Sequence, residues 1–167
     1  ERIAEMLKNK GYFNFVQDFI YFKADSTVAE RRVDLTLVLT KFKEYNDDGS
    51  FIEKPHPRYR IRNVYMNTNY QPRQALSSDQ AYLNSLDTLV HNDIHMIFSR
   101  QQNVSFNVVT ESSYIIPGEI YDLGNVRRTY RNLSSLRLFR LVNVEFQETG
   151  IYDDNGLRLL DCIILLT

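Results

Sequence analysis

The sequence predicts an α+β fold, in which helices cover one face of a small mixed sheet. Residues 122–138 carry apolar side chains at i, i+4 and i+7, as an amphipathic helix does. Several other segments alternate apolar and polar residues, which is typical of strands. The sequence at the start of the chain is also repeated at its end. Residues 7–20 match 133–146 at an offset of 126 (139 minus 13), and residues 33–40 match 160–167 at an offset of 127 (167 minus 40).

The first elements are predicted to be the end of a helix followed by two strands. Residues 1–10 have helical apolar spacing, and Gly11 follows as a residue that suits the position past a helix end. Tyr12 and Phe13 are expected to turn the chain back onto this helix, as core side chains rather than a ligand platform. Residues 16–22 and 32–42 are predicted strands, and the apolar run in the second predicts burial on both faces.

Residues 44–57 are predicted to be a linker, and we place a module boundary there. Asp48-Gly49 is a turn pair, and Pro55 and Pro57 interrupt regular structure. The elements predicted beyond it are a strand at 58–67 with a bulge near Asn63, a hairpin at 82–99 around Asn92-Asp93, a short helix at 104–113 with Asn103 near its cap, a stop at 115–118, the long helix at 122–138, and strands at 141–148 and 157–167.

Composition narrows the class of protein. The 167 residues are 43% hydrophobic and 25% charged, which is ordinary for a globular domain. A net charge of -1 gives no general attraction for nucleic acid. No apolar run approaches the roughly 18 residues that a membrane span needs, so this fragment is not expected to span one. The chain begins at Glu1 rather than Met, so we expect a piece of a longer protein.

Few residues suggest a catalytic or metal-binding site. His91 and His95 are four apart, a spacing that on a helix could bind a metal. Asn92-Asp93 between them resembles a hairpin turn, so exposed loop histidines are the preferred interpretation, and a metal-dependent enzyme is the alternative. The sequence has no glycine-rich phosphate loop and no nucleophile motif. Cys162, the single cysteine, is expected to be a buried hydrophobic residue. We predict no catalytic residue, no cofactor and no metal.

The order of elements resembles the POTRA domain, the periplasmic repeat of the BamA/TamA superfamily of outer-membrane assembly proteins. That family runs strand, helix, helix, strand, strand. Its markers appear as Y-x-I-x-x-V at Tyr59, Ile61 and Val64, as Pro-Gly-x-x-Tyr at Pro117, Gly118 and Tyr121, and as L-x-x-x-G-x-F at Leu7, Gly11 and Phe13. The second copy of the last marker keeps Leu133 and Phe139 but has Arg137 where glycine is usual.

The resemblance implies two modules. Residues 1–43 would be the C-terminal part of a first POTRA-like module, 44–57 the linker, and 58–167 a complete module with an insertion at 69–103. A complete POTRA-like unit is expected to be a small three-stranded mixed sheet backed by two helices, with an added hairpin in the second module. The first copy lacks its own first strand and first helix. The tyrosine-rich composition and the insertion resemble versions from Bacteroidetes-type bacteria.

The function that the resemblance implies is guidance of unfolded outer-membrane proteins at the periplasmic face of the bacterial outer membrane, without enzyme activity. Implied partners are these unfolded clients, accessory assembly lipoproteins, adjacent POTRA modules and a C-terminal barrel of the parent chain. Nucleic acid is not expected. A passive spacer or docking scaffold for lipoproteins, and a POTRA of a secretion transporter, are the alternatives.

The candidate site is an edge strand, because the strand after the long helix lies outermost in POTRA-like units. An open edge offers unpaired N–H and C=O groups to an extended peptide. The alternative is an edge that is simply solvated or covered by the neighbouring module. The residues of this predicted peptide-binding edge are Val142, Asn143, Val144, Glu145, Phe146 and Gln147. On the neighbouring helix, Arg127, Arg128 and Arg131 are expected to form a solvated basic face, with an anionic partner or lipid headgroup as the alternative.

Overall fold

The computed structural model describes residues 1–29, 32–76, 80–99 and 104–167. The predicted cap residue Asn103 and parts of the predicted insertion lie outside these ranges. The elements are α1 (Arg2–Lys8), a 3-10 turn (Gln17–Phe19), β1 (Ile20–Ala29), β2 (Arg32–Leu39), β3 (Phe42–Tyr45), β4 (Phe51–Lys54), β5 (Tyr59–Asn67), α2 (Pro72–Leu76), α3 (Gln80–Asn84), β6 (Leu86–His91), β7 (Ile94–Ser99), α4 (Phe106–Glu111), α5 (Leu123–Ser135), β8 (Val142–Tyr152) and β9 (Arg158–Leu166).

The main sheet has the order β6-β7-β5-β9-β8. Strand β5 is parallel to both of its neighbours, β7 and β9, whereas the β6–β7 and β8–β9 pairs are antiparallel. The predicted three-stranded unit is therefore β5-β9-β8, and the added hairpin β6–β7 extends the sheet beyond β5. The predicted bulge is confirmed, because the register of β5 against β9 shifts between Ile61 and Asn63.

The core lies between the sheet and the helices α4 and α5. Alternate residues of β5 and β9 point into it, including the fully buried Leu160, Cys162 and Ile164, as period-2 patterns require. Leu133 of α5 and Val109 of α4 are also fully buried. The Asp122 carboxylate caps α5 by accepting hydrogen bonds from the main-chain N–H groups of residues 124 and 125. The α+β class and the buried state of Cys162 are thus confirmed.

Two predicted strand starts are wrong. The first strand begins at Ile20 rather than at residue 16, because residues 17–19 form a 3-10 turn closed by Phe19 N–H donating to Val16 O. The strand pairing in the two copies shows why the predicted start was wrong. Phe22 pairs with Leu37 in the first copy, and Val144 pairs with Ile164 in the second. Because Leu37 matches Ile164 in the repeat, Phe22 matches Val144, at an offset of 122 (144 minus 22). The helices match at 126, so the first copy has four additional residues before its strand. The hairpin predicted from residue 82 begins at Leu86, since 80–84 form α3.

The prediction that the apolar run of β2 is buried is wrong. Its side chains at positions 33, 35, 37 and 39 are all exposed. Strand β2 pairs with β1 alone, in a separate two-stranded sheet. Burial of a strand on both faces requires layers above and below it, and within the described ranges no such layers cover β2.

The segment predicted as a linker contains a hairpin. Strands β3 and β4 pair antiparallel around a turn in which Asn46 N–H donates to Ser50 O at 2.8 Å and Gly49 N–H donates to Asn46 O at 3.0 Å. The turn is thus where Asp48-Gly49 predicts it, but the flanking residues pair instead of remaining irregular. The carboxylate of Glu44 in this hairpin contacts Arg158 of β9.

Phe13, which was expected to turn back onto α1, packs on the main sheet. Its ring lies edge-on to Tyr59 (5.6 Å between centroids) and Tyr121 (5.1 Å), and tilted against Phe146 (5.6 Å). The Tyr59 N–H donates to Gly11 O at 2.9 Å. Phe13 is therefore a core residue, as predicted, but of the segment that follows it in the chain.

Candidate peptide-binding edge

Strand β8 lies at the edge of the five-stranded sheet. All six residues of the predicted site, 142–147, belong to it and pair with β9 on one side. Within the described part of the chain, no strand pairs with its other side. An edge of this kind leaves every second residue's main-chain N–H and C=O groups without a partner strand.

The hydrogen bonds at the start of β8 identify which residues face outward. Leu141 N–H donates to Thr167 O at 3.3 Å, and Thr167 N–H donates to Leu141 O at 3.1 Å, so these two residues form a hydrogen-bonded antiparallel pair. Such pairs alternate with non-bonded pairs along the ladder. Asn143, Glu145 and Gln147 therefore bond to β9. The main-chain groups that point to the open edge belong to Val142, Val144 and Phe146.

The side chains of β8 divide between two faces. Val142 is buried, and Val144 and Phe146 pack against the core. Asn143, Glu145 and Gln147 lie on the opposite face, and Asn143 Nδ2 donates to Glu145 Oε1 at 2.6 Å. Polar residues on the open face of an edge strand limit aggregation while leaving the main chain accessible.

A groove of about 630 Å³ runs between α5 and the start of β8. Its apolar lining is Val126, Tyr130, Val142 and Val144, and its polar lining is Arg127, Arg131, Ser134 and Asn143. The groove therefore lies beside the outward main-chain groups of β8. The groove is not predicted from the sequence above, although the i, i+4 spacing of Val126 and Tyr130 on α5 is a signal for its helical wall.

The three arginines of α5 are all exposed, as predicted for a solvated face, but they have different neighbours. Arg127 and Arg131 line the groove, and Arg127 pairs with the Glu5 carboxylate of α1. The Arg128 guanidinium instead lies over the ring of Tyr114, 4.7 Å from its centroid. Two of the three cationic side chains thus lie beside the start of β8.

The core face at the far end of β8 is contacted by other parts of the chain. Tyr59 OH donates to Glu148 Oε2 at 3.0 Å, and Asn14 Nδ2 donates to Glu148 Oε1 at 2.6 Å. Burial, and then the hydrogen bond to Glu148, raise the pKa of Tyr59 to about 12. With Phe13 packed on Phe146, the accessible part of the groove is its beginning, around Val142 and Val144.

The two histidines are separated by the structure. Asn92 (φ 50°) and Asp93 (φ 62°) form the tight turn of the β6–β7 hairpin. His91 Nε2 is 2.6 Å from Asn107 Oδ1, whereas the His95 ring stacks on Tyr65 at 4.9 Å. Among the described residues, no three His, Cys, Asp or Glu side chains are grouped so that they could hold a metal ion. None of the described helices is both long and apolar enough to cross a bilayer.

No protein-family model matches the chain, and no curated protein matches it. Solved structures with some similarity are POTRA3-5 of BamA from Haemophilus influenzae (10% identity, 99% of this chain, 77% of that chain, TM-score 0.34), POTRA1-3 of the periplasmic domain of Omp85 from Anabaena (10%, 89%, 74%, 0.30) and the N-terminal domain of Omp85 from Thermosynechococcus elongatus (13%, 100%, 84%, 0.31). Similarity at this level carries no argument about function.

Proposed function

We propose that this chain is a pair of POTRA-like modules of an outer-membrane protein assembly or translocation factor, and that it guides unfolded client proteins by β-strand addition at β8. The observation that carries the proposal is the open edge of β8 beside an apolar groove. An added strand would gain main-chain hydrogen bonds from Val142, Val144 and Phe146. It would also place every second side chain in the groove.

The groove favours clients whose sequences alternate apolar and polar residues. Outer-membrane barrel strands have apolar and polar side chains in turn, which fits one apolar and one polar side of an added strand. On the groove side, Val126 and Tyr130 offer apolar contact. On the other side, Asn143 and Gln147 accept polar neighbours, while Glu145 disfavours acidic ones. Binding through the main chain would give broad selectivity, which suits a factor that handles many clients.

The parent protein would have more than one such module. We propose that residues 1–43 end a first module and that 58–167 form a complete second module. The parent would lie at the periplasmic face of the outer membrane, anchored by a barrel, with accessory lipoproteins as further partners. We also propose that the parent is of the Bacteroidetes type, and a secretion transporter of similar plan is the alternative.

Site-specific photo-crosslinking in the intact parent protein tests strand addition. Probes at Asn143 and Glu145 flank the edge, and a probe at the exposed Arg128, which lies over Tyr114, is the matched control on the other side of α5. Crosslinks to unfolded barrel proteins from the edge positions but not from Arg128 are expected. Crosslinks from the edge only to stable partner subunits would contradict client binding and support a docking scaffold.

The scaffold alternative has one observation in its favour, the exposed apolar row on β2. A surface of that kind suits a stable protein partner. The crosslinking result separates the two functions, because a scaffold would give crosslinks from the edge only to stable partner subunits.

A further inference from the structure

The groove beside β8 has positive charge on its helical wall. Arg127 and Arg131 line it, and among the described residues no Asp or Glu side chain does. Arg127 pairs with the Glu5 carboxylate of α1. Arg131 is exposed, and no carboxylate in the described part of the chain pairs with it. The groove therefore has a cationic side chain that is available to an incoming acidic group.

The two arginines lie about one turn apart on α5. Like charges at i and i+4 repel each other and weaken a helix. A carboxylate in the groove would relieve this repulsion and would accept charge-assisted hydrogen bonds from the guanidinium groups. Four residues of a helix rise about 6 Å, and every second residue of a strand is roughly 6.7 Å from the last. The spacing of groove-facing side chains in an extended peptide is therefore close to the spacing of the two arginines.

The opposite face of β8 carries negative charge. Glu145 is exposed there, and its Oε1 accepts a hydrogen bond from Asn143 Nδ2. Among the described residues, no cationic side chain pairs with Glu145. Because the main chain of Glu145 bonds to β9, an antiparallel added strand would face it in a non-hydrogen-bonded pair, in which side chains lie closest. A basic side chain is therefore favoured opposite Glu145, and an acidic one is disfavoured.

We infer that the β8 edge selects extended segments with opposite charges on their two faces. An acidic side chain lies among the apolar residues that enter the groove, and a basic side chain faces Glu145. This inference rests on strand addition at β8 and names the class of client. A one-residue slip would place the acidic residue at Glu145 and the basic residue at the arginines. Charge therefore fixes which face of the client turns towards the groove.

An anionic lipid headgroup is a poorer occupant of this site. A headgroup would meet Arg131 but would leave the outward main-chain groups of Val142 and Val144 without partners. It would also gain nothing from the negative charge of Glu145. A basic groove wall, an acidic outer face and an open strand edge are matched together by a peptide.

Two ten-residue peptides of identical composition test the inference. Both alternate valine and threonine. In the first, one central valine is replaced by glutamate and the neighbouring threonine by lysine, and in the second the two charged residues are exchanged. With the valine side turned to α5, only the first peptide places its carboxylate in the groove. We expect calorimetric titration of the 167-residue chain to show about 10-fold tighter binding of the first peptide, from two favourable contacts in place of two unfavourable ones.

Charge reversals separate the groove from the net charge of the protein. Arg131→Glu should remove most of the first peptide's advantage, because the groove-side glutamate then meets a negative side chain. Arg128→Glu changes the net charge equally, but at the residue that lies over Tyr114, and should leave the advantage in place. Glu145→Lys should lower the advantage from the other face. An equal loss from Arg131→Glu and Arg128→Glu would overturn the inference and indicate attraction by net charge.

The remaining outcomes separate the charge pattern from strand addition itself. Equal affinities, with slower amide exchange at Val142 and Val144 for both peptides, would overturn the charge pattern alone, and so would tighter binding of the second peptide. If neither peptide slows these amides, strand addition at β8 fails and the inference fails with it. Equal peptide affinities, together with binding of anionic phospholipid vesicles that Arg131→Glu abolishes, would assign the arginines to a lipid surface.

Discussion

Replacing Gly11 with alanine tests how the first segment is attached to the main sheet. Gly11 has φ +98°, a conformation that L side chains rarely adopt, and a Cβ at this position would lie 2.7 Å from Ile120 Cγ2. The same residue accepts a hydrogen bond from Tyr59 N–H, which fixes its distance from β5. The backbone therefore cannot move away from Ile120 without weakening that bond.

Two separate costs are expected. Positive φ costs an alanine about 1–2 kcal/mol, less about 0.4–1 kcal/mol that alanine returns by restricting the unfolded chain. Crowding against Ile120 adds about 1–3 kcal/mol, the usual range for overpacking. We expect Gly11→Ala to lower the free energy of unfolding by about 2–4 kcal/mol. Gly118→Ala is the matched control, because Gly118 has φ +87° and nothing within 4 Å of its added Cβ. It should cost about 1 kcal/mol or less.

Equilibrium urea unfolding of the two variants measures the difference directly. Ile120→Ala in the Gly11→Ala background should recover part of the loss, since it removes the Cγ2 atom that crowds the new methyl group. Equal destabilisation by Gly11→Ala and Gly118→Ala, with no recovery from the second substitution, would refute the close approach of this turn to the main sheet.

Three further outcomes follow from single residues. Arg137 has φ +53°, so Arg137→Gly should raise the free energy of unfolding by about 0.5–1 kcal/mol in urea titrations, and a loss of stability would contradict the strain. The hydrogen bond from Lys54 is the largest cause that holds the pKa of Glu44 below its ordinary 4.5. Its stabilising effect is therefore complete above pH 4.5 and is lost as pH falls through the lowered pKa, so Glu44→Gln should flatten the acid side of a stability–pH curve, and an unchanged acid side would argue against this pairing. Burial raises the pKa of the Cys162 thiol, so a thiol reagent should modify it only at the rate of unfolding, and rapid labelling of the native protein would be inconsistent with a buried thiol.

Local signals in the sequence predicted the local structure well. The long helix, the Asn92-Asp93 turn and the bulge near Asn63 all depend on neighbouring residues, and each is present in the structure. The predicted start of β1 was wrong because the sequence alignment of the two copies conceals four additional residues in the first copy. They become apparent only from the pairing of Phe22 with Leu37.

Packing between distant segments could not be predicted from the sequence patterns. The apolar row of β2 has the pattern of a buried strand, but burial depends on which elements cover it, and that information lies outside the strand itself. Phe13 matches Phe139 in the repeat, yet it packs on Tyr59 and Phe146 of the following segment. The edge position of β8 was predicted from the family resemblance, whereas the groove beside it required the distance between α5 and β8.

Nuclear magnetic resonance of the labelled chain with an added peptide tests strand addition at β8 most directly. The probe is a ten-residue peptide that alternates polar and apolar residues like an outer-membrane barrel strand. Strand addition predicts slower exchange of every second amide, those of Val142, Val144 and Phe146. The amides of Asn143, Glu145 and Gln147, which already bond to β9, should keep their rates. Slowing of both sets alike, or of neither at a saturating peptide concentration, would contradict the proposed use of this edge.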